Sequence, residues 1–208
     1  MSTLLKLDSS PMGERSISRK LTEKFANTWL KTHPDGRIIT LDLATLHLPV
    51  VDSLWAGAAH TPVEARTPEQ TKALALSESL IADLQLADEY VFGVPMHNFG
   101  IPSTLKLWID QVVRAGKTFS YSESGPKGLL TGKKATFLLA RGGVYEAGSA
   151  MAPYDFVSPY LRTVFAFLGV TDVTIIAAEG TAQLMSGKVD PQTFLAPSLE
   201  KVHAHASR

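Results

Sequence analysis

The run Glu89-Tyr90-Val91-Phe92-Gly93-Val94-Pro95-Met96-His97-Asn98-Phe99-Gly100-Ile101-Pro102 decides the fold. Its first seven residues, rich in Tyr, Val and Phe, read as a strand buried between two layers. A turn-rich loop follows, and Pro102 then opens a helix whose Leu105, Trp108, Ile109, Val112 and Val113 share one face. That stripe is core by default. Strand, loop and helix in this order imply a parallel sheet with crossover helices.

The same unit recurs on either side. Thr3 to Asp8 is a strand, Ser9 to Arg15 a turn-rich loop, and from Ser16 a helix places Ile17, Leu21, Phe25 and Trp29 four residues apart. His33-Pro34-Asp35-Gly36 ends that helix, and Arg37 to Leu43 alternates as a second strand. Thr67-Pro68-Glu69-Gln70 carries the signature of a helix start, and the helix runs to about Asp88. Later, Gly125-Pro126 and Gly128 mark a loop or hairpin, and Lys134 to Arg141 is the fourth strand. Ser158-Pro159 begins a helix that ends at Leu168-Gly169, Val173 to Ala178 is the fifth strand, and Pro191 to about His203 is the last helix. Residues 44–66 read as a long irregular segment in which Trp55 either lines a pocket or pins its loop. The whole predicts one α/β domain over 1–208, a three-layer sandwich around a five-stranded parallel sheet, with the order 2-1-3-4-5 taken from among the common ones.

Composition excludes several kinds of chemistry. Lys plus Arg and Asp plus Glu both total 20, so no basic excess marks a nucleic-acid partner, and no strong acidity marks a carrier that docks on basic proteins. The absence of cysteine rules out disulfides, thiolate nucleophiles and iron–sulfur ligation. Redox work by this chain therefore falls to an organic cofactor. No stretch reaches the roughly 18 apolar residues that span a membrane, and the N-terminal apolar run is too short for a secretory signal, so a cytoplasmic location is expected. His203 and His205 in the tail, and the P-loop-like Gly128 to Lys133 that precedes a strand instead of following one, suggest no metal or nucleotide site.

In an open α/β sheet, ligands bind beyond the carboxyl ends of the strands. Three unusual loops meet there, after strands one, three and four: Ser9–Ser18, Pro95–Pro102 and Ala140–Gly148. The first offers Ser9, Ser10, Ser16 and Ser18 at a helix N-terminus, where free N–H groups and the helix dipole suit a phosphate; Ser16 is equally an ordinary helix cap. In the second, backbone amides and Asn98 suit the polar edge of a planar ring, with Met96 and Phe99 as apolar walls and His97 as a lining residue. In the third, Gly142 and Gly143 admit a flat ligand close to the backbone. Arg141 beside them is either solvated or near the electron-rich end of that ligand.

At these positions the sequence resembles the FMN-dependent NADH azoreductase and quinone reductase family. The likeness rests on Met96-His97-Asn98-Phe99, Leu105-Lys106, Arg114-Ala115-Gly116, Thr118-Phe119-Ser120-Tyr121, Gly125-Pro126, Gly128-Leu129, Thr131-Gly132-Lys133-Lys134, Arg141-Gly142-Gly143 and Thr171-Asp172-Val173. It runs in order along nearly the whole chain. The resemblance implies a flavodoxin-like homodimer with one FMN per subunit and an active site at the interface. It places the phosphate on Ser10 and Ser16-Ile17-Ser18, and the isoalloxazine on Met96-His97-Asn98-Phe99 and Ala140-Arg141-Gly142-Gly143. Tyr121, Phe167 and Tyr145 would line the acceptor pocket. Ile17, His97, Ala140 and Tyr145 depart from the residues common in relatives, which bears more on the acceptor than on the cofactor.

The function this implies is a ping-pong transfer of two electrons from NADH or NADPH to a quinone, an azo compound or a nitroaromatic, with no protein group assigned as catalytic acid. An azo bond takes four electrons and a quinone two, so quinone reduction is the easier task. Two other readings share the topology. A non-catalytic flavodoxin-type carrier would be more acidic, and a receiver-like signalling domain would carry an acidic cluster where only Asp8 ends strand one.

Overall fold

A computed structural model describes residues 1–123, 125–187 and 189–208. The central sheet is built from β1 (Thr3–Asp8), β2 (Arg37–Asp42), β3 (Glu89–Pro95), β6 (Lys134–Ala140) and β7 (Asp172–Ala178). Its order is β2-β1-β3-β6-β7, with every neighbour parallel. Counted over the sheet strands alone, this is the expected 2-1-3-4-5. Between β3 and β6 the chain makes an antiparallel hairpin of β4 (Phe119–Ser122) and β5 (Gly125–Gly128).

Helices cover both faces. On one side α1 (Ile17–Thr32) and α6 (Pro191–Ala206) pack Leu21, Phe25, Trp29, Leu195 and Val202 against Leu4, Val91 and Leu138. On the other, α3 (Pro68–Leu86), α4 (Ser103–Val112) and α5 (Val157–Phe167) cover Leu5, Leu7, Tyr90, Phe92 and Phe137. Tyr90 and Phe92 face one layer and Val91 the other, as strand alternation requires. Phe92, Phe137 and Phe165 form an aromatic knot with ring centroids 4.9–5.1 Å apart. Leu105, Trp108, Ile109 and Val112 of α4 are buried in this core, so the apolar stripe is mainly a packing face. Among the described residues no helix is long and apolar enough to cross a membrane.

The helix caps follow the sequence signals. Ser16 accepts from Arg19 N, and Thr67 and Gln70 form a reciprocal capping box. Two expectations need correcting. The segment 44–66 is not irregular throughout: α2 (Ser53–His60) lies within it, capped by Asp52, whose carboxylate accepts from Trp55 N at 2.8 Å. Its Gly57 and its short length hid it from a periodicity search. The start of α5 is set by Asp155 and not by Ser158, because Asp155 Oδ1 accepts from both Val157 N and Ser158 N at 3.0 Å.

Trp55 pins its loop. Its indole donates to Gln111 Oε1 at 2.9 Å, and the Gln111 amide donates to Pro49 O at 3.0 Å. The buried Arg114 lies over the Trp55 ring and donates to Ser77 and Glu78. The segment is thereby tied to α3 and to the end of α4.

The hairpin is seated by a glycine contact. A Cβ on Gly128 would lie 2.1 Å from Gly169 N and 2.2 Å from Leu168 C, both backbone atoms that cannot yield. Gly57, inside α2, has nothing within 4 Å of the same construction. Gly128→Ala is therefore expected to cost about 3 kcal/mol or more. Gly57→Ala is expected to add roughly 0.5–1 kcal/mol through helix propensity and unfolded-state entropy. Denaturant unfolding of the two variants checks both signs.

Candidate functional site

The carboxyl edge of the sheet brings the three loops together. The first is held by β3: Ser9 N and Ser9 Oγ both donate to Gly93 O, at 3.0 and 2.8 Å. Gly93 also lets α1 approach, since a Cβ there would stand 2.8 Å from Asp8 Oδ1 and 3.1 Å from Ser18 O. Ser10, Ser16 and Ser18 are buried around the first turn of α1. Ser10 Oγ accepts from Met12 N, and Ser16 Oγ lies 3.2 Å from Ser18 Oγ. Accepting a bond leaves the Ser10 hydroxyl its own hydrogen to donate. The N–H groups of Ile17 and Ser18 find no partner among the described residues, as the opening turn of a helix dictates. Arg19 stays behind the loop, bonded to Ser10 O and to Asp42. The result is a cradle of hydroxyls and amides for an anion.

The second loop is a tight reversal. His97 and Gly100 exchange N–H···O bonds at 3.0 Å in both directions. Between them Asn98 and Phe99 both have positive φ, 48° and 69°. An aromatic residue in this left-handed region costs on the order of 1–2 kcal/mol, a strain concentrated at functional sites. The turn leaves His97, Asn98 and Phe99 exposed, with no bond to the His97 or Asn98 side chain among the described residues. Met96 is half-buried, and its N–H donates to Ala140 O at 2.9 Å, joining this loop to the third.

In the third loop the structure decides what Arg141 does. The side chain is neither solvated nor aimed outward. It is buried, donating to Glu179 at 3.1 Å, to Asp155 at 3.0 Å and to Ser158, with the Tyr145 ring beside the guanidinium. Its backbone is used too: Arg141 N donates to Ala178 O, and Arg141 O accepts from Thr181. Two carboxylates more than cancel its charge. Burial opposes ionisation of Asp155, but the bonds from Ser158 and Val157 and the Arg141 charge outweigh it and hold its pKa below the ordinary value. Sequence reasoning missed Asp155, Ser158 and Glu179, which are remote in the chain from Arg141. The glycines stay open: a Cβ on Gly142 would meet only Ala182, at 3.8 Å.

Of the three residues expected around the acceptor, Tyr145 lies at this edge but is buried, and Tyr121 and Phe167 lie elsewhere. Tyr145 is only 9% exposed, packed against Arg141 and Gly143. Tyr121 and Phe167 meet each other through Phe119, with ring centroids 5.5 and 4.6 Å away. Among the described residues no hydrogen bond or ring contact joins them to the cradle. Phe167 instead borders an apolar groove of about 340 Å³ with Ile109, Val113, Tyr160 and Val164. A second cavity, about 350 Å³, lies at the amino edge near Trp29, Glu89, Thr136 and His205. The candidate site itself is an open ledge. His203 and His205 bond to Thr28 and Thr136, which docks α6.

The depressed pKa of Asp155 gives a signed expectation. The stability its carboxylate confers is present above its ordinary value of 3.8 and is lost as pH falls through the lower folded value. Asp155→Asn is expected to destabilise by about 1–3 kcal/mol near pH 7. The gap to the parent protein closes as the parent is acidified below that range, which chemical denaturation at a series of pH values will show.

A family model described as "Flavodoxin-like fold" matches residues 2–204. An FMN-dependent NADH:quinone oxidoreductase from Acidobacterium capsulatum is 53% identical over 207 residues, covering 100% of both chains. FMN-dependent NADH:quinone oxidoreductase 3 from Burkholderia lata is 47% identical, over 98% of this chain and 99% of that one. Among solved structures, the FMN-dependent NADH-azoreductase from Bacillus anthracis in complex with FMN superposes with a TM-score of 0.88 at 28% identity, over 100% of this chain and 99% of that one. The order of the sheet, the loops gathered at its carboxyl edge and these likenesses agree: the chain belongs to the flavodoxin-like fold family.

Proposed function

We propose that residues 1–208 form one FMN-binding domain that passes two electrons from NADH to a quinone. The observation that carries the proposal is the convergence of a neutral anion cradle with two backbone ledges at one sheet edge. Sequence relatives at about half identity, named as FMN-dependent NADH:quinone oxidoreductases, support it.

The residues present fit FMN. The free Ile17 and Ser18 amides and the Ser10, Ser16 and Ser18 hydroxyls would take the phosphate, helped by the α1 dipole. Met96, His97, Asn98 and Phe99 on one side, and Ala140 with Gly142 and Gly143 on the other, would take the flat ring system. Arg141 would act through its cage, fixing the glycines in place. When bound, FMN supplies the electron-transfer chemistry that a cysteine-free chain cannot.

What remains for the chain is orientation and exclusion. The exposed ledge leaves one face of the ring site open, so donor and acceptor occupy the same slot in turn, the ping-pong order. NADPH is a second donor, and azo and nitroaromatic compounds further acceptors, in this reading. The apolar groove of Val113, Tyr160, Val164 and Phe167 and the 74% exposed Tyr121 are left uncovered in one chain. A homodimer would bury them and bring Tyr121 and Phe167 to the neighbouring cradle.

Two measurements test this. The purified protein is expected to be yellow, or to gain flavin absorption on incubation with FMN, and to oxidise NADH in the presence of a quinone with parallel double-reciprocal plots. A colourless protein that ignores FMN, or turnover no greater than that of free FMN, would overturn the proposal. Asn98→Gly, which removes the side chain and tolerates the left-handed backbone at this position, is expected to raise the FMN dissociation constant about three- to tenfold, in line with losing a hydrogen bond, with little change in melting temperature.

A further inference from the structure

Three aromatic rings stand in water at the lip of the candidate site. Phe99 is 43% exposed, Tyr154 49% and Phe156 59%. A single exposed apolar residue is ordinary, but a contiguous group of large rings is not. The group is ordered, not loose: the Phe99 and Tyr154 rings lie 5.7 Å apart at 38°, and Phe156 N donates to Phe99 O at 3.3 Å. Tyr154 closes a short helical turn, Ala152–Tyr154, which Pro153 stiffens.

The rings are also fixed to the ledge. Asp155, between Tyr154 and Phe156, is the residue that Arg141 grips, and Arg141 adjoins Gly142 and Gly143. Phe99 itself sits in the strained turn. The aromatic row therefore continues the surface on which a flat ring would rest, and is as rigidly placed as that surface.

From this geometry we propose that Tyr154 and Phe156 are acceptor-selecting residues that, with Phe99, extend the ring slot and favour fused, multi-ring aromatic acceptors over single-ring ones. The proposal rests on the oxidoreductase reading above. A single-ring quinone lying on the ledge has no area left for the outer rings. A naphthoquinone or larger acceptor overhangs the ledge and can meet them edge-to-face or offset, the arrangements aromatic pairs favour. Nothing charged is needed, which suits an apolar acceptor with polar groups only at its quinone oxygens.

The test uses full-length protein saturated with FMN, with Tyr154→Leu, Phe156→Leu and the double variant, since leucine retains apolar bulk. One reading is the ratio of kcat/KM for a 1,4-naphthoquinone to that for 1,4-benzoquinone, with NADH as donor. Another, independent of turnover, is the dissociation constant of redox-inert 2-naphthoate from perturbation of the flavin spectrum. Each substitution is expected to lower the ratio and to weaken naphthoate binding by about fivefold, the scale of one aromatic contact. The loss should fall on KM and not on kcat. Tyr154→Trp, which enlarges the ring, is expected to shift both readings the other way. An unchanged ratio in the double variant overturns the proposal. So does an unchanged ratio with sedimentation showing a weakened dimer, which would make the rings a contact between copies. Failure of the parent protein to take up FMN is seen before any variant is made, and it sinks the oxidoreductase reading and this one together.

Discussion

The architecture of the carboxyl edge depends on the close approach of α1 to β3 at Gly93. Any side chain there would meet the Asp8 carboxylate, Thr22 and the Ser18 carbonyl within about 3 Å. With hydrogen alone at that position, the first turn of α1 settles against the sheet. Thr22 can then donate to the buried Asp8 at 2.7 Å, which Lys6 also pairs. The Gly93 carbonyl, left open on its other side, receives both donors of Ser9. One missing Cβ in the central strand thus sets the height of the serine loop, and the free amides of α1 stand over the sheet edge as a result.

The second organising element is electrostatic. A buried guanidinium is costly to desolvate unless its hydrogen bonds are nearly complete. Arg141 meets most of that demand by bonding both terminal nitrogens to Asp155, Glu179 and Ser158, and among the described residues its Nε has no partner. The cage draws in the loop after β6, the loop after β7 and the cap of α5. The guanidinium that the sequence left either solvated or beside an electron-rich ring is held in this buried cage, next to the two glycines.

Local signals in the sequence proved trustworthy wherever structure is locally determined. The capping box at Thr67 and Gln70, the Ser16 cap and the apolar strand Tyr90–Val94 lie in the structure where chemistry over a few residues puts them. The doubly wound sandwich followed from the sequence of elements, and the order 2-1-3-4-5, chosen among the common ones, is the order the sheet has. What escaped is long-range. Asp155 and Glu179 stand 14 and 38 residues from Arg141, so no spacing rule links them. The packing of the Tyr145 ring on Arg141 and Gly143 was likewise not legible in the sequence. The helix Ser53–His60 was hidden by its shortness and its glycine, and its anchor, the Trp55 to Gln111 bond, spans 56 residues. The left-handed Asn98-Phe99 pair was equally hidden, since Asn announces such a turn and Phe argues against it.

The Arg141 cage also bears on how the edge moves. Because one guanidinium closes contacts to residues 155, 158 and 179, lifting any one of these segments leaves a buried charge short of a partner, at a cost of about 1–3 kcal/mol. Amide protons in 141–145, 155–158 and 179–181 therefore share a common opening event, a single cooperative unit in hydrogen exchange in place of three fraying loops.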